Sequence, residues 1–214
     1  MPHILVLNPN SNESVTRGLA EALTARRYAG DVRIECATLS DGPFGIESDA
    51  DIRAVEPMVR EALAARDDCD AFVIACYSDP GLEACRAALA KPVFGMQESA
   101  VAAALARGGR FGVLALSQRS IERHLGYLRE LGLDGRLAGE LPLDLDVDAA
   151  ANDPAALSRI VSQGRVLVRD HGARTLILGC AGLARHRAAA SDALGVPVIE
   201  PVQAAVDFAA AALS

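Results

Sequence analysis

The chain has 214 residues and a formal net charge of −7, which disfavours nucleic acid and anionic membrane surfaces as partners. It is 51% hydrophobic but only 4% aromatic, with no Trp, so the core of one domain or two small lobes must be built from Ala, Val, Leu and Ile. Five cysteines without zinc-ligand spacing to a histidine, no signal-like start and no bilayer-length apolar run lead us to expect a reduced, cytoplasmic protein with no metal or organic cofactor.

In chain order, short apolar runs alternate with longer Ala/Leu/Arg-rich stretches. Strands are predicted near 3–7, 32–38, 71–75, 92–94, 111–116, 136–141, 175–179 and 196–199. Helices are predicted near 12–28, 51–66, 81–90, 98–107, 119–131, 154–171, 183–193 and 201–213. The alternation predicts βαβ units and parallel sheets. Asp79-Pro80 and Asp153-Pro154 read as helix starts, an N-cap followed by proline, and Glu200-Pro201 as a weaker version. Gly30, Gly132 and Gly172 read as helix stops. Segment 40–48 carries turn residues around Phe44 and Ile46 and reads as a loop that can cover a site.

Two cysteines stand out. Cys76 follows Ala71-Phe72-Val73-Ile74-Ala75, and Cys180 follows Thr175-Leu176-Ile177-Leu178-Gly179; each precedes a Gly- or Pro-containing turn. After each comes a helix-compatible stretch and a strand near a proline, Pro92-Val93-Phe94 and Pro197-Val198-Ile199. Upstream, the run ending in Asn8 has its counterpart in the run ending in Ser117. The second half thus reads as a diverged copy of the first, which predicts two pseudo-symmetric α/β lobes, each a mostly parallel sheet flanked by helices, with the active site in the cleft between them. We place residues 1–97 plus the C-terminal helix 201–214 in the first lobe and 98–200 in the second.

In open α/β sheets ligands bind beyond the carboxyl ends of the strands, where Asn8, Cys76, Ser117 and Cys180 all lie. A thiol at a strand-to-helix corner is expected to feel the positive end of the helix, which favours thiolate. Two such thiols can invert a carbon next to a carbonyl: one removes the proton from one face and the other delivers a proton to the opposite face. Backbone N–H groups at the helix starts would hold the oxygen as enolate charge develops. Asn8, Tyr77, Ser78, Ser117 and Gln118 are the side chains expected near the substrate, while Asn10 and Ser11 are also candidate helix caps. Cys36, Cys69 and Cys85 lack the turn context and read as core residues. Asp79 reads as a cap, Glu98 as a first-turn carboxylate and His186 as a solvated helix residue; His3, His124 and His171 show no ligand pattern. These strand-end groups are polar and neutral, with no basic clamp, which favours a neutral ring as substrate.

Taken together, Asn8-Pro9-Asn10-Ser11, Gly42-Pro43 with Ile46-Glu47, Cys76-Tyr77-Ser78-Asp79-Pro80-Gly81-Leu82 and Gly179-Cys180-Ala181-Gly182 resemble the aspartate/glutamate racemase superfamily. The resemblance is greatest to its hydantoin racemase branch, which includes allantoin racemases. It covers nearly the whole chain and implies a cofactor-independent, two-base racemase in which Cys76 and Cys180 are the acid/base pair. Backbone around Ser78 and Ala181-Gly182 would hold the substrate. Tyr77-Ser78 stands where this branch usually has Phe-Gly, and Gly95-Met96-Gln97-Glu98-Ser99 departs from the usual Gly-Ile-Gly-Glu-Ala. The expected substrate is a 5-substituted hydantoin or allantoin. An aspartate/glutamate-type racemase and a maleate-type cis–trans isomerase are alternatives, as is a non-catalytic metabolite-binding module. A homo-oligomer acting on a small molecule is expected.

Overall fold

The computed structural model describes residues 1–24, 26 and 32–214. The end of the predicted 12–28 helix and the stop at Gly30 fall outside these residues. The first half forms β1 (His3–Asn8), α1 (Glu13–Ala22), β2 (Arg33–Thr38), α2 (Asp49–Ala64), β3 (Ala71–Ile74), α3 (Leu82–Ala88) and β4 (Val93–Gly95). It continues into α4 (Met96–Ala106), β5 (Phe111–Ala115), α5 (Gln118–Glu130), β6 (Leu137–Pro142), α6 (Val147–Asn152), α7 (Ala156–Arg169) and β7 (Thr175–Leu178). A 3₁₀ helix (Ala181–His186), α8 (Arg187–Leu194), β8 (Val198–Ile199) and α9 (Pro201–Ala212) complete the chain.

The strands make two four-stranded sheets, ordered β2-β1-β3-β4 and β6-β5-β7-β8, and every pairing is parallel. The second order is the first repeated four strands later, so the sequence repeat is a repeat of topology. In each sheet the chain moves one way from β1 to β2, or β5 to β6, and the other way to β3 or β7. The crevice at that switch is where open α/β sheets bind ligands.

Strand alternation splits the apolar side chains between two cores. Ile4, Val6, Ala71 and Val73 join a core continuous with Phe111, Val113 and Leu176–Leu178 of the second sheet. Leu5, Leu7, Phe72 and Ile74 point the other way, under Val55, Val59 and Leu63 of α2 and Leu82 and Cys85 of α3. The C-terminal helix α9 packs on β1, β3 and β4, whereas α4 packs on β7 and β8 and against α9. These two helices therefore meet at the seam between the sheets.

One helix start behaves as its sequence suggests. Glu200 caps α9 by accepting from Val202 N (3.0 Å) and Gln203 N (2.8 Å), with Pro201 in the first turn. Asp153 departs from its expected cap role: it accepts from Ala155 N at 2.8 Å in the turn ahead of α7, whose N-cap is Ala155 and carries no side-chain cap. Asp79 corrects the expectation: α3 begins after Gly81, which has φ 74° and no side-chain cap. The Asp79 carboxylate instead accepts from Gln97 N (3.0 Å) and Glu98 N (3.1 Å), capping α4. Asp79 itself sits at φ 43°, a region that non-glycine residues seldom occupy. Gly95 permits the approach, because a Cβ there would lie 2.2 Å from Asp79 Oδ2. Glu98 completes the cap from inside the helix, accepting from Gly95 N at 3.1 Å, and pairs with Arg86.

Helix α6 was not anticipated from sequence. Asp146 caps it, accepting from Ala149 N, and Glu47 Oε1 accepts from Val147 N at 3.0 Å. Asp148 Oδ1 accepts from Asn12 Nδ2 at 2.9 Å. Both partners come from the first half of the chain, so α6 and the 40–48 loop hold each other across the cleft.

Candidate active site

Cys76 follows β3 and Cys180 follows β7, the corresponding strands of the two sheets, and both line one cavity of about 40 Å³. Its apolar wall comes from Val15, Ile46, Ala75, Leu116 and Val147, and its polar wall from Asn10, Ser78, Ser120, Arg123 and His124. Tyr77, Gly179, Ala181 and Gly182 close it around the two sulfurs. A space of that size holds only a few water molecules.

Burial governs both thiols. It pushes Cys76 up to about 11, against the smaller opposing effect of the Ser78 backbone N–H. It pushes Cys180 up to about 12, again against backbone N–H donors; Gly182 N donates to Cys180 Sγ at 3.4 Å. The helix-terminus argument had favoured thiolate; in the cleft, where both side chains are partly buried, withdrawal from water outweighs it. The two sulfurs do not stand in equal fields. At Cys76 the Asp79 carboxylate opposes the charged form and Arg123 favours it, whereas at Cys180 both Cys76 and Glu47 oppose it.

Of the residues singled out from sequence, Cys76, Tyr77, Ser78, Cys180, Ala181 and Gly182 meet at the cavity. Asn8, Ser117 and Gln118 do not line it. Asn8 is fully buried behind the wall; its Nδ2 donates to Asn10 Oδ1 (3.0 Å), Asn12 O (3.2 Å) and Thr16 Oγ1 (3.1 Å). It is Asn10, two residues on, that reaches the cavity. Ser117 is spent as the N-cap of α5, accepting from Ser120 N, and Gln118 is exposed.

Sequence reasoning missed the second turn of α5. Ser120, Arg123 and His124 stand at i, i+3 and i+4, one face of the helix, and that face is the polar wall of the cavity. His124 Nδ1 lies 2.5 Å from Glu140 Oε1, with both side chains buried, and Tyr77 stacks edge-on against the imidazole at 4.7 Å between ring centres. With Nδ1 committed to Glu140, Nε2 is the ring nitrogen left for the cavity. The missing signal was the amphipathic spacing of α5, which shows a face but not what the face meets. Arg123 also overturns the expectation of a wholly neutral pocket. His186 is half-buried rather than solvated, and burial pushes its pKa down.

Elsewhere among the described residues, His3, Asp68 and Cys69 converge at the opposite end of the first sheet. Arg66 already forks across Asp68 and Glu35 there, with contacts of 2.8–3.0 Å, so a guanidinium supplies the local positive charge.

A family model described as Asp/Glu/Hydantoin racemase matches residues 4–209. A hydantoin racemase of Paenarthrobacter aurescens is 36% identical over 212 residues, spanning 94% of this chain and 87% of that protein. The structure of allantoin racemase from Klebsiella pneumoniae superimposes with a TM-score of 0.94 at 27% identity, covering 100% of this chain and 88% of that one. An allantoin racemase from Pseudomonas fluorescens gives 0.91 at 28% identity, covering 99% and 90%.

Proposed function

The chain belongs to the Asp/Glu/hydantoin racemase family and is an isomerase of the racemase type, and we propose that it inverts the acidic C–H centre of a 5-substituted hydantoin or allantoin with Cys76 and Cys180 as its two bases. The observation that carries this reading is that the two cysteines reach one cavity from corresponding strand ends of two topologically identical sheets. In one direction the Cys76 thiolate takes the proton from the ring carbon, giving a planar enolate and a Cys76 thiol. The Cys180 thiol then protonates the opposite face and is left as thiolate. The return direction exchanges the roles, and each turnover moves one proton in and one proton out.

The burial that makes thiolate scarce also makes it a stronger base, which suits a carbon acid. Enolate charge falls within reach of the N–H groups around Ser78 and Gly182, the donors that already favour the charged sulfurs. The scheme draws only on the chain's own groups, and we place the lobes at 1–97 with 201–214, and at 98–200. The test is incubation of single-enantiomer hydantoins and allantoin in D₂O, following optical rotation and loss of the C–H proton resonance. Wild type should lose rotation and exchange the proton, and dialysis against chelator should change neither. Cys76→Ser and Cys180→Ser should each abolish racemisation, each retaining exchange with one enantiomer only. Full racemisation by both variants would refute the two-thiol mechanism.

A further inference from the structure

The polar wall contains one permanently charged group. The guanidinium of Arg123 lines the cavity that holds both cysteines, and among the described residues no carboxylate lines that cavity with it. Its donors are poorly matched by the protein. Nε is buried with no hydrogen-bond acceptor. One terminal nitrogen donates to Ser120 Oγ at a long 3.4 Å, and the other lies 3.5 Å from Asp49, whose side chain is 66% exposed. A buried N–H without an acceptor is costly, and a guanidinium fork is shaped for a carboxylate.

Arg123 also stands at a boundary. It borders a second pocket, lined by Ser48, Asp49, Arg119 and Glu122, as well as the cavity of the two cysteines. A substituent that leaves the reacting carbon toward solvent on this side must pass the guanidinium.

We propose that Arg123 is a specificity-determining residue that binds a carboxylate on the substituent of the reacting carbon, with the Ser120 hydroxyl as second donor. The substrate class is then a hydantoin-type ring carrying an anionic arm, rather than one with an apolar or neutral side chain. This rests on the racemase reading above and narrows it.

The test compares 5-(2-carboxyethyl)hydantoin with 5-(2-carbamoylethyl)hydantoin, which share a shape and differ in charge. Two readouts are taken: kcat/KM for racemisation, and the concentration that protects Cys76 from iodoacetamide, read by peptide mass spectrometry. Wild type should favour the carboxylate by about ten- to a hundredfold in both, the range for a hydrogen bond to a charged group. The preference should lie in KM and shrink with added salt. In Arg123→Met the ratio should fall to about one, and Arg123→Lys should keep part of it. Equal treatment of the two compounds by wild type overturns the proposal, as does an unchanged ratio in a folded Arg123→Met protein. If neither compound exchanges its C–H proton, the racemase reading fails for this ring, and the protection ratio still decides on Arg123. Protection by neither compound overturns the proposal.

Discussion

The resting protonation state of the cysteine pair can be read from how fast Cys76 is alkylated as pH changes. Iodoacetamide reacts with thiolate, so its rate follows the ionised fraction. An exposed cysteine with a pKa of about 8.5 is about 10% ionised at pH 7.5. Cys76, pushed up to about 11 by burial, would be ionised there to only about 0.03%, which makes its alkylation about 300-fold slower than that of an exposed thiol. The rate should then climb about tenfold per pH unit from 7 to 10 without levelling off. In Cys180→Ser protein, mass-resolved labelling of the Cys76 peptide gives the profile free of its partner. In Cys76→Ser protein the Cys180 peptide should lag further, in keeping with its push to about 12. Racemisation at saturating substrate should rise with alkaline pH over the same window, and bound substrate should block labelling of both sulfurs. A Cys76 profile that levels off at or below pH 8.5 would refute the reasoning. It would mean that the N–H groups of the turn outweigh desolvation and that a thiolate is already present in the free protein.

Gly95→Ala should cost about 2–4 kcal/mol in chemical denaturation, because the new methyl overlaps the Asp79 carboxylate and breaks the cap of α4. Activity should fall with it, since Asp79 belongs to the turn that carries Cys76; an unchanged melting temperature would show that the turn adapts at no cost. Glu200 is held up to about 7 by burial against about 4.3 in the unfolded chain, so the native state favours its protonated form. The stability it contributes is full below about pH 4 and lost as pH rises through about 7, and Glu200→Gln, which does not titrate, should gain on wild type by about 4 kcal/mol between pH 4 and 8. A gap between the two that stays constant in urea titrations across that range would contradict the burial argument. Asn8→Ala should destabilise by about 2 kcal/mol and raise KM, because Asn10 loses the amide that fixes its side chain at the cavity. An effect on stability with KM untouched would separate Asn8 from the site.

The sequence by itself determined the parts that depend on near neighbours and on repetition. Ile4-Leu5-Val6-Leu7 and Ala71-Phe72-Val73-Ile74 read as strands of a parallel sheet, and each is one, buried on both faces. The paired cysteine turns marked a duplicated unit, and the two sheets share one strand order. Tertiary structure decided everything that joins residues far apart along the chain. Asp79 looked like the cap of the helix beside it and caps the one that starts at Met96, because β4 brings that helix start within reach. Asn8 looked like a ligand-facing residue and became a support for Asn10. Arg123 and His124 gave no local signal, since a helix face reveals its chemistry only when the other lobe closes over it. The same closure reversed the expectation for the thiols. The pull of nearby N–H groups is local and legible in a motif. Desolvation depends on how completely two distant segments shut out water, and here it is the stronger of the two.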